Sequence, residues 1–144
     1  MKKNKLETNE AGLIATDLVT PLRISAILAS GYPLICSLWY EYVDSSFLCA
    51  TQANAKLVKI LESNPKCAFE LSPNKPPYFA LRGYADAEIR SEGAAELLET
   101  LIIKYLGDTR SKLARSLLSK SNTEVMLKLT PRNVFTWDYR ERMS

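Results

Sequence analysis

The chain has no histidine and only a few glycines and cysteines, and each scarcity excludes a class of function. Without an imidazole there is no Ser-His or Cys-His catalytic pair, no histidine acid or base, and few of the usual zinc sites. The cysteines are odd in number, show no CxxC spacing and lie in apolar segments, where a thiol acts as a small hydrophobic group: Cys36, Cys49 and Cys67. We therefore expect neither a metal centre nor structural disulfides.

The five glycines are too widely spaced for the glycine-rich loops that bind phosphate: they stand at positions 12, 31, 83, 93 and 107. Neither GxGxxG nor GxxxxGK can be written anywhere in the chain, and GxSxG fails for the same reason. The sequence therefore lacks the signatures of Rossmann dinucleotide-binding domains, P-loop nucleoside triphosphatases and α/β-hydrolases.

The chain also lacks long apolar runs and a strong excess of one charge. No segment approaches the roughly 18 apolar residues of a membrane span, and no apolar segment follows the basic start. The 19 Lys and Arg and 16 Asp and Glu are interspersed, which leaves +3. We therefore expect a single cytoplasmic domain over residues 1–144, with residues 1–14 as a flexible arm and with no membrane or nucleic-acid partner. A loose basic cluster is expected to be a solvated helix surface: Lys104, Arg110, Lys112, Arg115 and Lys120.

Alternating apolar and polar residues predict a sheet-rich fold. The extended runs cover residues 22–28, 34–42, 47–51, 66–71, 78–89, 124–130 and 133–139. The last two runs flank Pro131, and the chain is expected to form about six strands in all. Because most of these strands follow one another without intervening helices, the sequence predicts a mainly β, α+β fold: a six-stranded, mostly antiparallel sheet closed as a barrel with flanking helices. Gly83 inside the long run predicts a bulge or a close backbone approach.

Three segments change to helical spacing. One helix begins at Asn54 and stops at Asn64-Pro65, so that Lys56 lies in its first turn. A second helix is predicted from an N-cap at Ser91 to a C-cap at Gly107, and a third covers residues 109–119.

An ordered string of short motifs remains. It runs Gly31-Tyr32-Pro33, Ser37-Leu38-Trp39-Tyr40, Phe47-Leu48-Cys49-Ala50-Thr51, Asn54-Ala55-Lys56, Asn64-Pro65, Arg82-Gly83, and finally Pro131 with Trp137-Asp138. In this order and spacing the string resembles the pyridoxamine 5'-phosphate oxidase-like family of flavin-binding split β-barrels. The likeness covers roughly residues 15–140.

The resemblance implies a homodimer that binds flavin mononucleotide (FMN) at the subunit interface and acts as an oxidoreductase on a small molecule. Ser37, Leu38 and Trp39 would border the flavin ring, and four residues would surround its phosphate: Thr51, Asn54, Ala55 and Lys56. Such a corner suits a dianion because a lysine, a hydroxyl and free helix N–H groups converge there. Thr51 and Asn54 are also ordinary helix-capping types.

The same motifs are compatible with more than one function. Ile35 stands where family members that act on pyridoxamine phosphate have an arginine, and no histidine follows Trp137. We therefore do not expect classical pyridoxamine phosphate oxidase activity, and the sequence assigns no catalytic residue. A deazaflavin (F420)-dependent reductase on the same barrel is one alternative. A non-catalytic protein that holds flavin or haem is another.

Overall fold

The computed structural model describes residues 8–143, which form one curled antiparallel sheet and five helices. The strands are β1 (Leu22–Ile27), β2 (Pro33–Leu38), β3 (Tyr40–Val43), β4 (Ser46–Gln52), β5 (Lys66–Leu71), β6 (Phe79–Arg90) and β7 (Glu124–Asp138). The helices are α1 (Thr8–Asp17), α2 (Lys56–Ser63), α3 (Ala94–Leu106), α4 (Lys112–Leu118) and α5 (Arg140–Met143). Thus the predicted α+β split barrel is confirmed, with seven strands in place of six.

Two of the predicted strand boundaries differ from those in the structure. The strands lie in the order β2-β1-β5-β6-β7-β4-β3, so that β2 and β3 form opposite edges. The predicted run 34–42 is divided at Trp39, where the chain passes from one edge to the other, and the sheet curls into a half-barrel that brings these edges together. In contrast, the runs around Pro131 form a single strand. This is possible because Pro131 lies opposite Ala85, beside a register shift between Tyr84 and Ala85, where proline costs little. The shift lies one residue beyond Gly83, for which the sequence predicts a bulge or a close backbone approach; the close approach is to the Asn133 carbonyl.

Helix α1 occupies part of the segment for which the sequence predicts a flexible arm; residues 1–7 of that arm lie outside the described residues. Ala15 is fully buried in the core. The buried Tyr40 hydroxyl reaches the carbonyl oxygens of Ala15 at 2.8 Å and Leu18 at 2.9 Å. These contacts tie α1 to the edge strand β3, a long-range arrangement that the polar local sequence does not signal.

The other helix limits are close to those predicted. Ala55, with no side-chain hydrogen bond, is the N-cap of α2, and Asn64 is its C-cap. Helix α3 starts after Gly93, whose φ of 78° favours glycine, and not after Ser91; Gly107 is its C-cap, as predicted. The hydroxyl of Ser111 accepts a hydrogen bond from the Ala114 N–H and caps α4.

The core has two parts. The larger lies inside the half-barrel, where α2 buries Leu57, Val58 and Leu61 against the sheet. The smaller lies between the sheet and helices α3 and α4, around Leu98 and Ile102. Among residues 8–143, no helix combines the length and apolar character needed to cross a membrane.

Candidate functional site in the cleft between the sheet edge and helices α3 and α4

A cleft of about 410 Å³ opens where the edge of β2 approaches β4 beneath helices α3 and α4. Its floor includes Ser37, Leu38, Trp39 and Thr51, which the sequence assigned to cofactor binding. The remaining lining residues come from β4, from the two helices and from the chain after them: Ala50, Gln52, Leu98, Leu101, Leu113, Ser116, Leu117, Lys120 and Glu124. The cleft therefore combines a mostly apolar wall with a polar end, a combination typical of small-molecule sites.

Trp39 is held in the wall of the cleft by a stack of side chains. Its ring lies parallel to that of Tyr105, with centroids 5.0 Å apart, and the Tyr105 hydroxyl donates to the Thr20 carbonyl at 2.9 Å. Because the ring of Tyr105 is fixed at both its face and its hydroxyl, the plane of the Trp39 indole is fixed as well. This gives the cleft a rigid aromatic surface of the kind that suits a flat ligand.

Lys104, next in the chain to Tyr105, supports the same stack. Its ammonium donates to the Tyr40 carbonyl at 2.7 Å and lies 4.0 Å from the centroid of the Tyr40 ring. The side chain is only 14 % exposed, and burial lowers its pKa, an effect that Glu41 opposes. Lys104 is therefore a packed residue rather than the solvated one that the sequence predicts.

The polar end of the cleft is a hydrogen-bonded cluster around Gln52. The Gln52 amide donates to the Lys120 carbonyl at 3.1 Å and to the Glu124 carboxylate. The Thr123 hydroxyl donates to the Gln52 side-chain oxygen at 2.7 Å. Burial raises the pKa of the half-buried Glu124, and its contact with Gln52 partly offsets that rise. These bonds fix residues 120–124 beside the end of β4.

Asn54, Ala55 and Lys56 form a corner beyond this end and do not line the cleft. Asn54 and Lys56 are exposed, whereas Ala55 is half-buried. The Ala55 N–H donates to the Gln52 carbonyl at 3.0 Å, which makes the turn into α2. The Lys56 ammonium lowers the pKa of the Cys36 thiol, although burial raises that pKa by more. Lys56 is thus close to β2.

The half of the cleft that α3 and α4 form was not predicted from the sequence. The lining residues around α4 are Leu113, Ser116, Leu117 and Lys120, which recur at the three- and four-residue spacing of one helix face. This periodicity was available in the sequence. However, it identifies only a face, and nothing local indicates that the face lies opposite Ser37 and Thr51.

The three thiols are expected to react very differently in the native and unfolded protein. Burial raises the pKa of Cys49 to about 12 and that of Cys67 to about 11, so neither forms the reactive thiolate at neutral pH. Native protein treated with Ellman's reagent should release no more than one equivalent of thiolate, from the half-buried Cys36, and unfolded protein three. Cys36→Ser should abolish the native signal. Rapid release of two equivalents would contradict this packing.

The outer face of the sheet next to the cleft carries exposed apolar side chains. Ile35 is 70 % exposed, and Tyr84 and Phe135 are 57 % and 49 % exposed. The rings of Tyr84 and Phe135 pack edge to face, with their centroids 5.8 Å apart. With charged residues of neighbouring strands they line a groove of about 400 Å³.

Charged side chains of both signs cross this face in one row. Arg23 on β1 lies opposite both Ser37 and Glu70. Glu70 forms an ion pair with Arg82 at 3.1 Å. Since Ser37 belongs to the same row and also lines the cleft, the cleft and the outer face are continuous.

Known structures share this architecture. No protein-family model matches the chain, and no curated protein does. A conserved hypothetical protein, Rv2991, from Mycobacterium tuberculosis superimposes with a TM-score of 0.80 at 18% identity, over 99% of this chain and 91% of that one. An F420 reductase matches with a TM-score of 0.67 at 12% identity, over 83% and 92% of the two chains.

A third similar structure is a Listeria innocua protein named for pyridoxamine 5'-phosphate oxidase. It matches with a TM-score of 0.68 at 11% identity, over 90% of this chain and 98% of that one. Sequence identities this low establish the fold but not the activity. The chain has the split β-barrel fold of the pyridoxamine 5'-phosphate oxidase-like structures.

Proposed function

We propose that this protein binds FMN in the cleft and uses it in the oxidation or reduction of a small molecule. The observation that carries the proposal is the meeting of Ser37, Leu38, Trp39 and Thr51 in one cleft with a fixed aromatic wall. Its volume of about 410 Å³ lies within the roughly 300–1,000 Å³ of ordinary ligand pockets. The names of two similar structures, an F420 reductase and a pyridoxamine 5'-phosphate oxidase, support a ring-bearing redox cofactor.

The donor set fits a flavin nucleotide. Leu38, Trp39 and the leucines of α3 and α4 would contact the ring, and the Ser37 hydroxyl and the β2 backbone would offer hydrogen bonds to its polar edge. Thr51, Asn54, the N–H groups after Ala55 and the Lys56 ammonium would hold the phosphate. When bound, the flavin supplies the redox chemistry. The chain's own residues would orient the ring and exclude water from one of its faces.

We further propose that the functional unit is a homodimer that pairs through the outer face of the sheet. Exposed apolar patches of this kind mark interaction surfaces. Arg23 has no ion-pair partner within residues 8–143, while Glu70 lies across from it in the same row of the sheet. A two-fold axis through such a face can set Arg23 of one copy against Glu70 of the other. Because Ser37 lies in this row, the second copy would cover the mouth of the cleft.

Absorption spectra of the purified protein, alone and after addition of each cofactor, test the proposal and separate it from its alternatives. FMN binding should give the two near-visible flavin bands and change their shape on titration. Retention of F420 and not FMN would favour the deazaflavin reductase, and a Soret band would favour a haem protein. A sample that ignores added FMN would overturn the proposal.

Lys56→Ala is expected to weaken FMN binding by about 1–3 kcal/mol, or roughly 5- to 150-fold, because it removes a charge-assisted contact with the phosphate. Fluorescence titration or calorimetry measures the change. Lys59→Ala is the matched control, since Lys59 is an exposed lysine of the same helix and should leave affinity unchanged. Equal affinities for Lys56→Ala and the wild type would contradict the role of Lys56.

A further inference from the structure

The cleft contains a cation that the proposed function has not used. Lys120 follows α4 and lines the cleft together with Thr51 and Gln52, whereas Lys56 does not line it. Among residues 8–143, the Lys120 ammonium has no ion-pair partner. The other exposed cations of this region, Arg110, Lys112 and Arg115, do not line the cleft either. Within the described part of the chain, Lys120 is therefore the only positive side chain that lines the cleft.

The backbone of Lys120 is fixed at the end of the cleft where the proposed phosphate site lies. Its carbonyl accepts the Gln52 amide at 3.1 Å, and the Thr123 carbonyl accepts the Ala53 N–H at 3.0 Å. The Thr123 N–H in turn donates to the Lys120 carbonyl at 3.1 Å. Residues 120–123 are thus bonded to the strand end that leads into the corner, which places the backbone of Lys120 near the corner on a different element from the one that carries Lys56.

The acidic residue of the cleft does not neutralise Lys120. Of the residues that the structure describes, Glu124 is the only carboxylate that lines the cleft, and the Gln52 amide donates to it. Within residues 8–143, the Lys120 ammonium and the Glu124 carboxylate form no ion pair. Lys120 is consequently free to pair with an anion from the ligand, and a charge-assisted bond of this kind is stronger than a neutral one.

We propose that Lys120 binds the phosphate of the flavin nucleotide and makes the cleft selective for FMN over riboflavin, which lacks that phosphate. This inference rests on the proposed flavin site and adds to it a specificity-determining residue outside the predicted motif string. A phosphate carries close to two negative charges at neutral pH. A second lysine therefore offsets more of this charge than Lys56 would offset alone.

The test compares FMN and riboflavin titrations of the wild type, Lys120→Met and Lys120→Arg. Lys120→Met should weaken FMN binding by about tenfold, leave riboflavin affinity within about twofold of the wild type, and reduce the salt dependence of FMN binding. Lys120→Arg should retain FMN binding, because it keeps the charge. Lys112→Met is the matched control: the same substitution at an exposed lysine of α4 that lies outside the cleft.

Two negative outcomes have different meanings. Equal FMN affinity of Lys120→Met and the wild type, or an equal loss for FMN and riboflavin, would overturn the role of Lys120 and leave the flavin site standing. If the wild-type protein bound neither flavin, the proposed function would fail, and the role of Lys120 with it. Circular dichroism of each variant separates a local change from misfolding.

Discussion

Gly83→Ala is expected to lower the free energy of unfolding by about 2–4 kcal/mol. A Cβ at this position would lie 1.9 Å from the Asn133 carbonyl oxygen and 3.0 Å from the Phe69 ring. The oxygen belongs to the backbone of the neighbouring strand β7, so it cannot move aside without distorting the sheet. The clash arises beside the register shift between Tyr84 and Ala85.

Denaturant unfolding monitored by circular dichroism measures this loss. Gly12→Ala is the matched control, because Gly12 lies in α1 and nothing is within 4 Å of its added Cβ. There the substitution should raise stability by up to about 1 kcal/mol through helix propensity alone. The two alanines should therefore act in opposite directions. Unfolding of Gly83→Ala at the wild-type denaturant concentration would show that the strands do not approach as the structure describes.

Tyr84→Asp is expected to convert the proposed dimer into a monomer and to weaken FMN binding by at least about tenfold. The exposed Tyr84 ring packs edge to face on Phe135 in the centre of the outer face. The substitution would remove the ring that packs on Phe135 and place a carboxylate between the two copies, where the desolvation of a charge costs several kcal/mol. Loss of the second copy would then open the mouth of the cleft to water.

Light scattering after size-exclusion chromatography measures the mass, and a titration measures FMN affinity at the same protein concentration. Val43→Asp is the matched control, since Val43 is also an exposed apolar strand residue, 42 % accessible, but lies on β3 at the far edge of the sheet. It should leave both mass and affinity unchanged. A dimer that persists in Tyr84→Asp would place the interface on another face.

Much of the β structure follows from local patterns. Alternation in β1 and β5 puts Leu22, Ile24 and Phe69 inward, and a period-two pattern is strong where one face of a sheet is buried. Helix α2 keeps the predicted stop at Asn64 because proline follows it. The predicted strand limits are wrong at Trp39 and at Pro131 for different reasons. Both faces of residues 34–42 are apolar enough to resemble one continuous strand, and a proline at a bulge does not end a strand.

Part of the candidate site could likewise be predicted from local sequence, and part could not. Ser37, Leu38 and Trp39 are sequence neighbours, and a turn and a helix start follow Thr51, so the sequence alone indicated their chemistry. The sequence did not indicate that Lys104 packs against the Tyr40 ring or that Lys120 lines the cleft. Both lysines look alike in sequence because their surroundings come from strands about 64 to 68 residues away.

The sequence alone showed that histidine-based catalysis and glycine-rich phosphate-binding motifs are absent. It also predicted the antiparallel strands and the corner at the start of α2, since these depend on residue types and short spacings. Only the tertiary structure decided that α1 is anchored by Tyr40, that α3 and α4 close one side of the cleft, and that an apolar sheet face adjoins it. The physical reason is that these features arise from the curl of the sheet. That curl brings β2 and β4 together, and no local stretch of sequence records which strands become neighbours.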